Sequence, residues 1–157
     1  MQLPQLLFPV DDLKIIEKGD ILYIYDPIRY QYLKCTPEEY VRQALISHLI
    51  NNLSYPKELL AVEKQIFVNK LSRRFDLVVF DRDIYPLILI EIKAPNVKIN
   101  DKTLLQLAQY NYIINAKHWV LTNGLNVLFM TYDKENNKID FKSQIPTWYE
   151  LGKSDNK

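Results

Sequence analysis

From Leu87 to Ile92 the chain reads Leu-Ile-Leu-Ile-Glu-Ile, apolar on both faces of a strand apart from Glu91. Side chains alternate across a strand, so a run with no polar face must be covered on both sides and reads as a central strand. A second apolar run, Arg73-Arg74-Phe75-Asp76-Leu77-Val78-Val79-Phe80, precedes it across the short connection Asp81 to Pro86. If the two pair as an antiparallel hairpin, Asp76 near the start of one lies beside Glu91 and Lys93 near the end of the other. Glu91 and Lys93 then project from one face and Ile90 and Ile92 from the opposite one. Two carboxylates and an ammonium at the end of an apolar hairpin are costly to hold there. A Glu-x-Lys triplet by itself is compatible with a solvated strand face, but Asp76 at hairpin distance makes this a candidate metal site with a catalytic lysine.

With 157 residues and 48% apolar content the chain is sized for one globular domain. We read residues 1–152 as that domain, with a core over 36–132, a hairpin over 20–34 and a frayed tail over 153–157. A net charge of +1 permits a nucleic-acid partner without announcing one. Cys35 is the sole cysteine, which excludes a disulfide framework and a cysteine-rich zinc site and makes the cytoplasm the expected location. Pro4 and Pro9 interrupt a short N-terminal apolar stretch with no basic flank, so neither a signal peptide nor a membrane span is expected.

Ile21–Tyr25 and Tyr30–Leu33 read as short strands around Asp26-Pro27. Thr36 is a helix N-cap, with Pro37 at the first helical position and Glu39 spaced to close a capping box. The helix is expected to reach about Asn52, burying Val41, Ala44, Leu45 and Leu49. A strand over 62–70 leads into the hairpin. A second helix follows from Asp101 or Thr103 to about Ala116, with Leu104, Leu107, Ala108 and Ile114 apolar. Strands at 119–122 and 127–132 flank Asn123-Gly124, a hairpin-type turn. The segment from strand 87–93 through the second helix to strand 119–122 has the length of a βαβ crossover, which makes those strands parallel. The prediction is an α/β domain of order α-β-β-β-α-β with a central mixed sheet. An antiparallel sheet without the crossover is the alternative that would void the site.

That order, with Asp on the second core strand and Glu-x-Lys on the third, resembles the PD-(D/E)xK nuclease superfamily. It is most similar to the N-terminal nuclease domain of the restriction (R) subunit of type I restriction enzymes. The resemblance rests on Thr36-Pro37-Glu38-Glu39-Tyr40-Val41-Arg42-Gln43, Arg74-Phe75-Asp76, Glu91-Ile92-Lys93-Ala94-Pro95, Gln106, Tyr110-Asn111 and Thr122-Asn123-Gly124. It spans roughly residues 20 to 132. Phe75 stands where the superfamily's name puts proline, and no Walker-type Gly-x-x-x-x-Gly-Lys stretch of the family's motor is present in this sequence.

The resemblance implies Mg²⁺-dependent hydrolysis of phosphodiester bonds, with Mn²⁺ as a substitute ion, DNA as substrate, and partner proteins supplying recognition or motor functions. Asp76 and Glu91 would hold the ion, with the backbone carbonyl of Ile92 as a third ligand, and Lys93 would orient the attacking water or steady the developing anion. Gln106 and Tyr110, four apart on one helical face, match the Gln-x-x-x-Tyr element that supports the active site in the RecB-type branch. Glu38, Glu39 and Glu63 compete for the further acidic position that many members carry. Helical geometry puts Glu38 near the Val41, Leu45 and Leu49 stripe, whereas Glu39 is the capping partner of Thr36, so Glu38 is assigned as the extra metal-side acid. Arg42, four residues on, is a candidate partner for Glu38, and Glu63 reads as solvated surface. His48 and His118 have no ligand-spaced partners and read as structural. The rival reading is a silent module that docks nucleic acid or protein on a nuclease fold without turnover.

Overall fold

Thr36 begins the first helix as expected: its Oγ accepts from the Glu39 backbone N–H at 3.1 Å, and Pro37 opens α1 (Pro37–Asn51). The computed structural model describes residues 2–114 and 116–154, with the side chains at 68, 108–114 and 154 outside the description. Before α1, a three-stranded antiparallel sheet is built from β1 (Ile15–Lys18), β2 (Ile21–Asp26) and β3 (Gln31–Lys34). The expected hairpin is its β2–β3 half. The added strand β1 is short and half charged, and it turns into β2 through Gly19 at φ +61°.

After α1 come β4 (Leu60–Val68), β5 (Leu71–Phe80), β6 (Pro86–Ile92), α2 (Asp101–Ile114), β7 (His118–Thr122) and β8 (Val127–Asp133). The predicted order α-β-β-β-α-β is present, and β8 is its extra strand. A further strand, β9 (Lys138–Lys142), and a short helix, α3 (Trp148–Ser154), follow. The six strands form one mixed sheet in the order β4-β5-β6-β7-β8-β9. β5 and β6 pair antiparallel with Leu77 opposite Ile90, and β6 and β7 pair parallel with Ile90 opposite Val120. The crossover through α2 is therefore real, and the alternative of a purely antiparallel sheet is excluded.

The sheet divides the core. On one face Leu77, Val79, Ile88, Ile90, Ile92 and Val120 pack with Val41, Ala44, Leu45 and Leu49 of α1. On the other, Phe75, Val78, Leu89, Trp119 and Leu121 pack with Leu107 of α2. β6 and β7 are covered on both faces, which is why their sequences lack a polar alternation. Of the expected α2 stripe, Leu107 is buried and Leu104 packs beside it, while Ala108 and Ile114 lie outside the described side chains. No helix among the described residues is long and apolar enough to cross a membrane.

Candidate functional site

β5 loses its alternation at Asp76. Leu77 and Val79 face α1 and Val78 faces α2, but Phe75 also faces α2, so the strand twists between 75 and 77. Across the β4–β5 pair, Val62 meets Leu77 and Lys64 meets Phe75, which places Glu63 opposite Asp76. Glu63 takes the left-handed backbone at φ +51°, uncommon for a residue with a side chain. Both strands are thus irregular at the same rung.

The twist delivers the Asp76 carboxylate to two donors. Its Oδ2 accepts the backbone N–H of Ile92 at 2.8 Å, and its Oδ1 accepts Nη2 of Arg42 at 3.0 Å. Ile92 of β6 and Arg42 of α1 hold opposite ends of one carboxylate. Continuing the register of Leu77 with Ile90 puts Asp76 opposite Glu91, as the hairpin reading required.

Glu91 sits on the α2 face of β6 and is only 8% exposed. Nε of Arg73 donates to its Oε1 at 3.2 Å, and Nη2 of the same guanidinium donates to that oxygen too. Arg73 also lies over the Phe75 ring, 5.4 Å from its centroid. Burial raises the Glu91 pKa above the ordinary 4.5; Arg73 pulls against that rise, Asp76 adds to it, and Lys93 opposes it. Asp76 and Lys93 therefore both act on Glu91 electrostatically. Lys93 continues the parallel ladder by donating its N–H to the Thr122 carbonyl at 2.8 Å, and among the described residues no ion pair holds its ammonium.

The helix-face expectation is reversed. Glu38 is exposed, while Glu39 is buried at 8% and reaches the site through an arginine. Glu39 Oε2 accepts Nη1 of Arg42, which passes its other amino group to Asp76. Glu39 Oε1 accepts Nε2 of Gln43 at 2.8 Å and Nη2 of Arg29 at 3.1 Å. Arg42 therefore pairs three residues back with Glu39, not four back with Glu38. The stripe argument assumed one buried face, yet residues 39–46 are buried all round, polar face included. Thr36 still caps the Glu39 amide, but the Glu39 side chain is drawn away from the cap by three donors.

The chain of ion pairs runs further back. Arg29 Nε donates to Asp26 Oδ2 at 2.6 Å, and Asp26 is fully buried at the end of β2. Arg29 also reaches Glu63 at 2.9 Å, so Glu63 is exposed at the surface as expected and is also paired. The arginine hydrogen bonds hold the Asp26 carboxyl below its ordinary value despite the burial that pushes it up. Asp26, Arg29, Glu39, Arg42 and Asp76 thus alternate in sign from the N-terminal sheet to the site. None of Asp26, Arg29 and Arg73 was singled out from sequence. The Arg73-Arg74 doublet before Asp76 was the one local signal, and it says nothing of which arginine turns inward.

Gln106 is exposed on α2 and makes no hydrogen bond to Asp76, Glu91 or Lys93 among the described residues; the Tyr110 side chain lies outside the description. Thr122-Asn123-Gly124 has a structural role. Asn123 Oδ1 accepts the amides of Leu125 and Asn126, and its Nδ2 donates to the Val97 carbonyl at 2.9 Å, tying down the segment after Lys93. His118 Nδ1 lies 2.9 Å from Thr131 Oγ1 in a buried position, consistent with the structural reading.

The donors at the site are oxygens only: two carboxylates and the β6 main chain. Their chemistry suits a hard divalent cation rather than a thiophilic or imidazole-seeking one. In this conformation each carboxylate is engaged by an arginine, and among the described residues no three His, Cys, Asp or Glu side chains form a ready ligand group.

Among curated proteins none matches the chain. A candidate nuclease of DUF820 from Anabaena variabilis ATCC 29413 matches with a TM-score of 0.50 at 12% identity, covering 88% of each chain, so the two share a fold. A fragment of a candidate HsdR subunit of a type I restriction enzyme from Vibrio vulnificus YJ016 matches with a TM-score of 0.45 at 24% identity over 68% of this chain. This chain spans 22% of that fragment's length. The family model of the type I restriction enzyme R protein N terminus (HSDR_N) matches residues 37–146, from the first turn of α1 to the edge of α3, and the chain belongs to that family.

Proposed function

We propose that this chain is a metal-dependent nuclease domain that hydrolyses phosphodiester bonds in DNA, with partner subunits supplying sequence recognition or motor action. The observation that carries the reading is the meeting of Asp76 and Glu91 across the β5–β6 register, with Lys93 next on the Glu91 face. Two nearby carboxylates in a half-buried setting repel each other and call for a cation.

Asp76, Glu91 and the Ile92 carbonyl would hold Mg²⁺ or Mn²⁺. Such an ion, when bound, supplies a water of lowered pKa and offsets charge on the phosphate. Lys93, whose ammonium is not tied into an ion pair among the described residues, would steady the attacking water or the developing anion. Arg42 keeps one Asp76 oxygen oriented from α1, and Arg73 balances the Glu91 charge in this conformation.

Cleavage of a DNA duplex and Mn²⁺ binding by isothermal titration, in wild type, Asp76→Ala and Lys93→Ala, test the reading. Wild type should bind and cleave, Asp76→Ala should lose both, and Lys93→Ala should bind the ion without cleaving. Equal ion affinity in all three proteins would leave the docking module, which the arginine pairing of both carboxylates favours.

A further inference from the structure

The chain is close to neutral, but its charge is unevenly spread. Residues 64–74 hold Lys64, Lys70, Arg73 and Arg74 and no Asp or Glu, leaving sixteen cations against nineteen carboxylates elsewhere. These residues are the far end of the β4–β5 pair. The β5–β6 ladder ends at Leu77 opposite Ile90, β6 itself ends at Ile92 beside Asp76 and Phe75, and β4 is the sheet's edge, so from Leu71 to Arg74 the β4–β5 pair runs on as a ribbon. Four residues of strand make an overhang of about 13 Å. Ile66 and Phe75 pack into the α2-side cluster and set the direction of the ribbon at its base.

Beyond that base the ribbon is exposed. Arg73 turns inward to Glu91, but Lys64, Lys70 and Arg74 face solvent. Phe67 and Leu71 are 70% and 57% exposed near the tip. Register places Lys64 beside Phe75 on one face, and Arg74 beside Gln65 on the other, so cations stand on both faces and at the tip. A two-stranded ribbon has the width of the major groove of B-DNA, and one lying in a groove meets phosphates on both walls. Single-strand binders instead present several stacking aromatics, and Phe67 is the sole aromatic among residues 64–74.

We propose that the 64–74 ribbon is a DNA-binding arm that lies in a groove of duplex DNA and brings the strand to Asp76 at its base. Lys64, Lys70 and Arg74 contact backbone phosphates, and Phe67 packs against the groove wall. The inference rests on the nuclease reading only for the choice of DNA as the ligand.

Fluorescence anisotropy of a labelled DNA duplex in EDTA measures binding with no turnover. The Lys64→Ala/Lys70→Ala/Arg74→Ala triple variant should bind at least about tenfold more weakly, and its slope of log affinity against log salt should shrink by about 0.9 per lost contact. Phe67→Ala should weaken binding several-fold with the slope unchanged, and Lys134→Ala, on the β8–β9 turn, should match wild type. The substituted side chains are exposed, so thermal unfolding of the triple variant should coincide with that of wild type. A triple variant that binds as wild type does, or a single strand or RNA duplex that competes as well as the DNA duplex, overturns the arm. Wild type that binds no duplex overturns it too. Asp76-dependent cleavage with ribbon-independent binding sinks the arm alone; ribbon-dependent binding with no cleavage under any divalent ion sinks the nuclease reading alone.

Discussion

Ile92 donates its backbone N–H to Oδ2 of Asp76 at 2.8 Å, where a regular ladder would offer it a main-chain carbonyl of β5. The neighbouring Lys93 N–H points the other way, to Thr122 of β7. A side chain thus completes the sheet at the rung where β5 twists, which ties the orientation of the Asp76 carboxylate to the integrity of the sheet.

Asp76→Ala should therefore cost stability as well as function. It strips the Ile92 amide of its acceptor and leaves the buried Arg42 with Glu39 as its one remaining anion among the described residues. Because Asp76 is itself partly exposed, the expected loss is about 1–3 kcal/mol, read by urea unfolding. Asp76→Asn keeps an acceptor for the amide and should lose less stability while still losing ion affinity.

The two glutamates that open α1 should separate sharply. Glu39→Ala removes the shared anion of Arg29 and Arg42 and should cost about 3 kcal/mol, because it leaves poorly solvated guanidinium groups short of a partner. Glu38→Ala touches an exposed side chain and should stay within about 0.5 kcal/mol. Denaturant midpoints of the two variants decide it, and similar losses would contradict the geometry.

Glu91 predicts a pH dependence. Its pKa is raised in the folded state, chiefly by burial, so between the ordinary 4.5 and that raised value the native state binds more protons than the unfolded chain. Its contribution to stability should fall as pH rises through this window and stay level above it. Glu91→Gln should remove that slope from the stability–pH curve. Mn²⁺ affinity of the wild type should move the other way, rising as Glu91 ionises.

Gly124 sits at φ +82°, and a Cβ there would come within 2.8 Å of Leu6 Cδ2 and 3.0 Å of Val41 Cγ2. Gly124→Ala combines an unfavourable backbone with a clash against α1 and should cost about 1–3 kcal/mol by thermal or urea unfolding. A neutral outcome would mean that the loop moves away from α1 without consequence.

Much of this protein was legible from the chain itself. A strand apolar on both faces must be sandwiched, a helix-length segment between two such strands must cross over, and Thr36-Pro37 must start a helix. Each follows from local chemistry acting over a few residues, and β6, α2, β7 and α1 lie where that chemistry puts them. The nearness of Asp76 to Glu91 follows from a hairpin register set by the apolar pattern of the two strands, which pairs Leu77 with Ile90 one rung away. β1 and β9 escaped notice because short strands carrying charges have no periodicity strong enough to stand out.

Which charges meet which was decided only by the tertiary structure. Glu38 and Glu39 differ by a 100° rotation, and the stripe of Val41, Leu45 and Leu49 pointed to the wrong one because α1 is buried on its polar face as well. Arg29 is 10 residues from Glu39 and 34 from Glu63, and Arg73 is 18 from Glu91. Long arginine side chains can reach any carboxylate within several ångströms, so their partners depend on how the N-terminal sheet, α1 and β5 pack together, not on spacing along the chain. The sequence by itself determined the sheet, the crossover and the strand positions of Asp76 and Glu91, with Lys93 just past the end of β6, since period and register act locally. The ion-pair chain from Asp26 to Asp76 exists only once those elements are brought together, because electrostatic partners are chosen by distance in space.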